Sequence, residues 1–318
     1  MAAGDPVSVL GEEVAAYIAS RRRFGFVVRH DEPTLRSFVR FCDNAGITTV
    51  TTTSIVEWAT APVGVTGAWS AQRFGAARRF AQHLHLTNPG HEVPPQRLIV
   101  GHYQRISPYL YTGDEIDAVM TAAGRLSGQI RPIAYRTLIG LLAATGMRIS
   151  EALALNDTNV EFDAGLITVR NSKFNKSRQL PLHPTTIEAL SHYVTSRRTI
   201  RADDVAGDGQ AFFISDTGRR IGYRQCREIF VRCLDHAGVT APAGRRRPRI
   251  HDLRHTFAVN TLIDWYSNGV NVNAYLPYLS TYLGHVEPAA TYWYFTGSPE
   301  LAGVIASRLD SINATVNP

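Results

Sequence analysis

The chain of 318 residues is 44% hydrophobic and 19% charged, the composition of a globular protein, and it is long enough to fold as two domains. Its formal net charge of +6 predicts attraction to a polyanion, whether DNA, RNA or an anionic lipid surface, without choosing among them. Three cysteines with no C-x-x-C pair argue against a disulfide framework, the start Met1-Ala2-Ala3-Gly4-Asp5 has neither the basic nor the apolar part of a secretory signal, and the most apolar stretch, Pro132 to Met147, is broken by Arg136 and short of the roughly 18 residues a spanning helix needs; the expectation is a cytoplasmic protein with no membrane partner.

From Val9 to Leu86 apolar residues recur at helical spacing, as in Val14, Tyr17 and Ile18 and again in Leu35, Phe38, Val39 and Phe41. Four helices are predicted: one over the opening stretch, a second starting at Asp31-Glu32-Pro33 and stopping by Gly46, a short third capped by Thr53 or Ser54 ahead of Pro62, and a fourth from Trp69 to Leu86. Between Thr87 and Thr112 the periodicity fades into Asn88-Pro89-Gly90, Pro94-Pro95 and Ser107-Pro108, the composition of a linker. The division that follows is a helical domain over 1–95, a linker over 96–111 and a second domain over 112–318. In that second domain Asp114 to Leu126 and Pro132 to Ala144 read as helices, and Gly165 to Arg170 with Arg178 to Leu182 as the strands of a β-hairpin. The turn between them, Asn171 to Lys176, presents a basic tip at which a cation can reach a ligand. Helices follow around 184–197, 221–237, 251–266, 272–283 and 299–309, so the fold class is mainly α with a small β-hairpin or sheet. Cys226 and Cys233, seven apart in one helical pattern, read as buried core thiols rather than metal ligands.

The chemistry concentrates in the second domain. Arg148 follows an apolar helix and Gly146, with Glu151 three residues on and close enough to brace its guanidinium. His251 and Arg254 stand three apart at the head of a helix and so share a face; an arginine fork beside an imidazole suits a phosphate, supplying charge and fixed donors together. They follow the basic run of Arg245, Arg246, Arg247 and Arg249, which reads as DNA-binding. Gly284-His285 comes 34 residues after His251, and Tyr294 nine after His285. Arginines also cluster at 21–23, 78–79, 197–198 and 219–220, a spread that suits an extended groove around a duplex. Singly, each residue has a structural reading: Arg148 as a helix-end cation, Lys173 as a solvated turn residue, His251 as a cap, His285 as a satisfied core histidine, Tyr294 as a packed aromatic. Order and spacing, not any one residue, carry the functional reading.

Arg148-x-x-Glu151, Lys173 in a hairpin, His251-x-x-Arg254, Gly284-His285 and a tyrosine nine residues later resemble, in that order, the tyrosine recombinase or phage integrase family over roughly residues 112–309. The N-terminal helices resemble the family's core-binding domain in arrangement rather than motif, which makes 112–318 a mixed α/β catalytic domain. The resemblance implies a site-specific recombinase that cuts and rejoins double-stranded DNA for integration, excision or transposition. Attack on a phosphodiester develops charge on the non-bridging oxygens, and Arg148 and Arg254 would meet it without a metal. Tyr294 would be the nucleophile, His251 its acid/base partner, Lys173 the proton donor to the leaving 5′-oxygen and His285 a phosphate holder. A 3′-phosphotyrosyl bond conserves the energy of the broken one, so no cofactor is implied. The implied assembly is a cyclic tetramer on two duplexes, located at the nucleoid and open to accessory proteins.

Two alternatives stay open inside the match. Tyr292 competes with Tyr294, which the pattern T-x-x-Y from Thr291 favours, and Lys176 competes with Lys173. The interval from Arg254 to His285 is longer than is usual in the family, the start so close to the helical domain gives the expectation of no additional arm-binding domain, and a last amphipathic helix carrying Leu301, Val304, Ile305 and Leu309 can dock on itself or on a neighbouring subunit. Three rival functions fit parts of the pattern: a non-cleaving regulator on the same scaffold, a type IB topoisomerase, and a metal hydrolase built on His251, His255 and His285, for which no H-E-x-x-H motif exists.

Overall fold

The computed structural model describes residues 8–26, 28, 30–101, 107–170, 177–200, 210–285, 291–292 and 301–303. Lys173, Lys176 and Tyr294, with most of the last predicted helix, lie outside the described residues. The chain divides into two compact units, Met1–Ile106 and Ser107–Pro318.

The first unit is built from α1 (Val9–Arg23), α2 (Asp31–Asn44), α3 (Thr52–Thr60) and α4 (Gly67–Thr87). Hydroxyl side chains start three of them: Ser8, Thr51 and Thr66 each accept from a backbone N–H of the first turn, satisfying donors that the helix leaves unpaired. The third cap is Thr51, not Thr53 or Ser54; Ser54 is instead the reciprocal member of a capping box, returning a bond to the Thr51 N–H. Leu35, Phe38, Val39 and Cys42 repeat at three and four residues, form one face of α2, and are all buried against Ile55, Trp58 and Phe80. Two arginines of the predicted basic groove are already engaged here: Arg78 donates to the Pro94 carbonyl at 2.7 Å and Arg79 pairs with Asp31 at 3.2 Å.

In the second unit, α5 (Gly113–Gly124) and α6 (Arg131–Thr145) lead through a short α7 (Ile149–Ala154) into an antiparallel sheet of β1 (Val160–Glu161), β2 (Leu166–Val169) and β3 (Arg178–Pro181), followed by α8 (Pro184–Ile200), α9 (Tyr223–His236), α10 (Asp252–Ser267) and α11 (Val272–Leu283). The fold is mainly helical with one small sheet. The β2–β3 register pairs Ile167 with Leu180 and Val169 with Arg178, so the strands bury Ile167, Val169 and Leu180 on one side. The α6 helix is buried on nearly every face, through Ala134, Tyr135, Leu138, Ile139, Leu141 and Leu142, and is the centre of the main core. A second cluster joins α10 to α11 through Ala258, Val259, Leu262, Leu276, Leu279 and Leu283 and reaches Leu301. At roughly 1.5–3 kcal/mol for each fully buried aliphatic side chain, these two clusters fix where the ends of α6 and α11 lie.

Cys226 and Cys233 sit buried on α9, where desolvation pushes their thiols up to about 12 and about 11, so they are packing residues. Arg197 and Arg220 correct the groove reading further. Arg197 is buried and donates to the Phe212 carbonyl and to Asp157, while Arg220 donates to the Leu153 and Leu155 carbonyls at 2.9 and 2.8 Å. Among the described residues no helix is long and apolar enough to cross a membrane.

Candidate active site

Two helices end in left-handed glycines, α6 at Gly146 (φ +58°) and α11 at Gly284 (φ +69°). A Cβ at Gly146 would lie 2.5 Å from the Phe257 ring, and one at Gly284 would lie 2.8 Å from Arg178 Nη1, so both positions require glycine for conformation and for space. The carbonyls at such ends lack intrahelical partners and carry the negative pole of the helix dipole. Guanidinium groups fill that vacancy. Arg254 donates from Nη1 to the Gly146 carbonyl (2.9 Å) and from Nη2 to the Leu283 carbonyl (2.8 Å), tying the two helix ends together. Arg148 donates from Nη2 to the Gly284 carbonyl (2.8 Å) and from Nη1 to Glu151 Oε1 (2.8 Å).

Glu151 also closes a capping box on the Arg148 N–H (3.0 Å), which is why Arg-x-x-Glu at the start of α7 places the two side chains together. Its carboxyl is buried, which alone would raise its pKa; hydrogen bonds from Arg178 and from the Arg148 N–H, with the charges of both arginines, outweigh this and hold it below the usual range. Three guanidiniums against one carboxylate leave a net +2 at this locus. The Arg148 side chain keeps 25% of its surface exposed, so it is more open to solvent than Arg254, which is 4% exposed.

The imidazoles join the same locus. His251 occupies the N-cap position of α10, edge-on to the His255 ring at 4.9 Å. Desolvation, then the charges of Arg254, Arg249, Arg148 and Arg246, push it down to about 4. Because His251 keeps an exposed edge, the guanidinium charges are the cause that the geometry most directly carries. His285 hydrogen-bonds through Nδ1 to Thr291 Oγ1 (2.7 Å) and is lowered to about 4 by burial, then by Arg254, Arg148 and Arg178. Arg148 and Glu151 at the start of α7, His251 and Arg254 at the start of α10 and His285 just past the end of α11 are thus brought together from three separate elements, while Lys173 and Tyr294 lie outside the described residues.

Of the basic run, Arg246 and Arg249 each approach the fully buried Asp252 at 3.4 Å, Arg247 pairs with Asp235, and Arg245 is exposed. Arg178, which the motif reading passed over, is at the centre of the cluster. Its one sequence signal is the position directly after the hairpin tip, and an arginine opening a strand reads by default as solvent-facing. Among the described residues no group of three or more His, Cys, Asp or Glu side chains could hold a metal ion.

The sequence pattern of the phage integrase family matches residues 110–300, more than half of the chain. The chain belongs to the phage integrase family. An integrase/recombinase of Sinorhizobium fredii, y4rB, is 35% identical over 96% of this chain and 98% of its own length. Tyrosine recombinase XerD of Bradyrhizobium diazoefficiens is 29% identical over 60% of this chain and 55% of its own length. At the level of fold alone, the XerH recombinase bound to palindromic difH substrate superposes with a TM-score of 0.64 at 18% identity, covering 86% of this chain and 77% of that one. The Tn1549 transposon integrase with transposon right end DNA gives 0.63 at 16% identity, covering 94% and 99%.

For a phage integrase family site the three depressed imidazoles have a stability consequence. Well above pH 6.5 His251, His255 and His285 are neutral whether the chain is folded or not. As pH falls from 6.5 toward about 4, the unfolded chain takes up protons that the folded site refuses, and folded stability declines through that window. The thermal midpoint of the DNA-free protein, followed by scanning fluorimetry, is expected to drop between pH 7 and pH 5, and to drop less in His255→Gln. A midpoint that rises on acidification contradicts the electrostatics of the cluster.

Proposed function

We propose that this chain is a site-specific tyrosine recombinase that cleaves and rejoins duplex DNA through a 3′-phosphotyrosyl intermediate, in the integration or transposition of a DNA element. The observation that carries this reading is the convergence of Arg148, Arg254, His251 and His285 on one locus in a chain of the phage integrase family. In the step proposed, Tyr294 Oη attacks the scissile phosphorus as its proton passes to His251; the bond from phosphorus to the 5′-oxygen breaks, and Lys173 protonates that oxygen. Arg148 and Arg254 hold the non-bridging oxygens, His285 donates a further hydrogen bond, and Glu151 keeps Arg148 in place. A 5′-hydroxyl from the partner strand then attacks the phosphotyrosine, the phenol recovers its proton, and the number of phosphodiester bonds is restored. No cofactor enters the balance.

A phosphate seated between the arginines offsets the positive charges that depress His251, so its proton affinity rises when DNA is in place. The helical unit, taken as a core-binding domain over 1–95 with a linker over 96–111, adds contacts to the duplex, and Arg245, with Arg246, Arg247 and Arg249, supplies backbone contacts beside the site. The working partner is double-stranded DNA and the working form a homo-oligomer, a tetramer at synapsis. Its place is the cytoplasm, at the nucleoid.

The test starts from covalent complexes trapped with SDS on fragmented DNA and sequenced to map the crossover. On a duplex nicked next to that position, the wild-type chain is expected to accumulate a protein–DNA adduct at the same rate with and without EDTA. Absence of an adduct, or its loss on chelation, refutes the proposal.

A further inference from the structure

Arg178 opens β3 directly after the hairpin tip, and its side chain is only 9% exposed. All three kinds of nitrogen in its fork are used: Nη2 donates to Glu151 Oε2 (2.8 Å), Nη1 to Glu151 Oε1 (3.1 Å), and Nε to the Tyr282 carbonyl (2.7 Å) in the last turn of α11. It therefore grips the same carboxylate oxygen that Arg148 uses, Glu151 Oε1, and the same helix end that Arg148 and Arg254 cap. A lone buried Glu151 would draw Arg148 into a tight pair and cancel its charge; a second guanidinium, bound bidentately, takes up that carboxylate and leaves the Arg148 charge for another anion.

We propose that Arg178 is a positioning residue for strand cleavage: clamped on both Glu151 oxygens and the Tyr282 carbonyl, it orients Arg148, keeps that guanidinium's charge available to the scissile phosphate, and fixes the base of the hairpin to the end of α11. The proposal rests on the recombinase reading above, with Arg148 as the group that meets the phosphate. Arg178 itself touches no substrate and acts through Glu151 and Arg148.

The experiment compares single-turnover cleavage of the nicked duplex, at saturating full-length protein, on a phosphodiester and on a scissile methylphosphonate, in which a methyl group replaces one charged non-bridging oxygen. Arg178→Gln is expected to lose about a hundredfold in rate on the phosphodiester but less than about tenfold on the methylphosphonate, with DNA affinity held within about threefold. Arg148→Ala sets the reference for that pattern. Arg178→Lys keeps the charge but cannot span two carboxylate oxygens and a carbonyl at once; it is expected to be slowed about tenfold on the phosphodiester and carries the same comparison if the Gln variant does not fold. Equal losses on both substrates, which a purely structural role would give, overturn the proposal, as does a wild-type rate in a folded Arg178→Lys. The two readings separate cleanly: if the wild-type chain forms no adduct the recombinase reading falls, whereas a wild-type adduct undiminished in both variants removes only the role of Arg178.

Discussion

Tyr294→Phe is expected to bind the mapped DNA site within about threefold of wild type and to form no covalent adduct on the nicked duplex, a loss of at least about 10⁴-fold in single-turnover cleavage. The substitution removes one oxygen and leaves the ring, so binding and folding are spared while the nucleophile is gone. Tyr292→Phe is the matched control. Thr291 is fully buried and hydrogen-bonded to His285, whereas Tyr292 beside it is 54% exposed. In the sequence, position 294 stands at helical spacing from 291 and 292 does not, which is the ground for assigning the nucleophile to Tyr294. Adduct formation that survives in Tyr294→Phe and vanishes in Tyr292→Phe would exchange the two residues, and survival in both would remove the phenol mechanism altogether.

Arg254→Ala should combine a catalytic with a structural loss. The residue is 4% exposed and bonds the Gly146 and Leu283 carbonyls, so its removal strands acceptors at the ends of both α6 and α11 at about 1–3 kcal/mol each. Cleavage should fall by about 10³-fold or more, since a fixed donor to the developing phosphate charge is lost together with the geometry of its neighbours. The thermal midpoint should fall by several degrees at the same time. Arg148→Ala separates the two effects: with a quarter of its side chain exposed and a single helix-end carbonyl to satisfy, it should approach the catalytic loss of Arg254→Ala at a smaller cost in stability. Equal destabilisation by the two variants would contradict the division of labour between a buried and a partly exposed guanidinium.

Most of the helical elements were legible because their apolar residues repeat at three and four positions; α11 begins and ends where the periodicity places it, at Val272 and Leu283. The elements passed over are short. The six residues of α7 and the two of β1 are too few to show a period, and α7 exists because the Gly146 turn and the Arg148–Glu151 capping box start it. Residue identity and order also singled out Arg148, Glu151, His251, Arg254 and His285, which the structure brings to one locus.

Arginine was the residue type most often misjudged. Sequence clustering suggested a basic groove, yet Arg197 and Arg220 turn inward to cap carbonyls, and Arg178, in no cluster, joins the site. A guanidinium's role is set by which unpaired carbonyls and carboxylates lie within reach of its fork, and those acceptors can be distant in the chain, as the Tyr282 carbonyl is from Arg178. The sequence by itself determined the helical fold class and the order of the candidate site residues, because periodicity and motif order are local properties. Only the tertiary structure decided which arginines hold α6, α11 and Glu151 together and which stay partly exposed, because that depends on burial and on partners that no local pattern encodes.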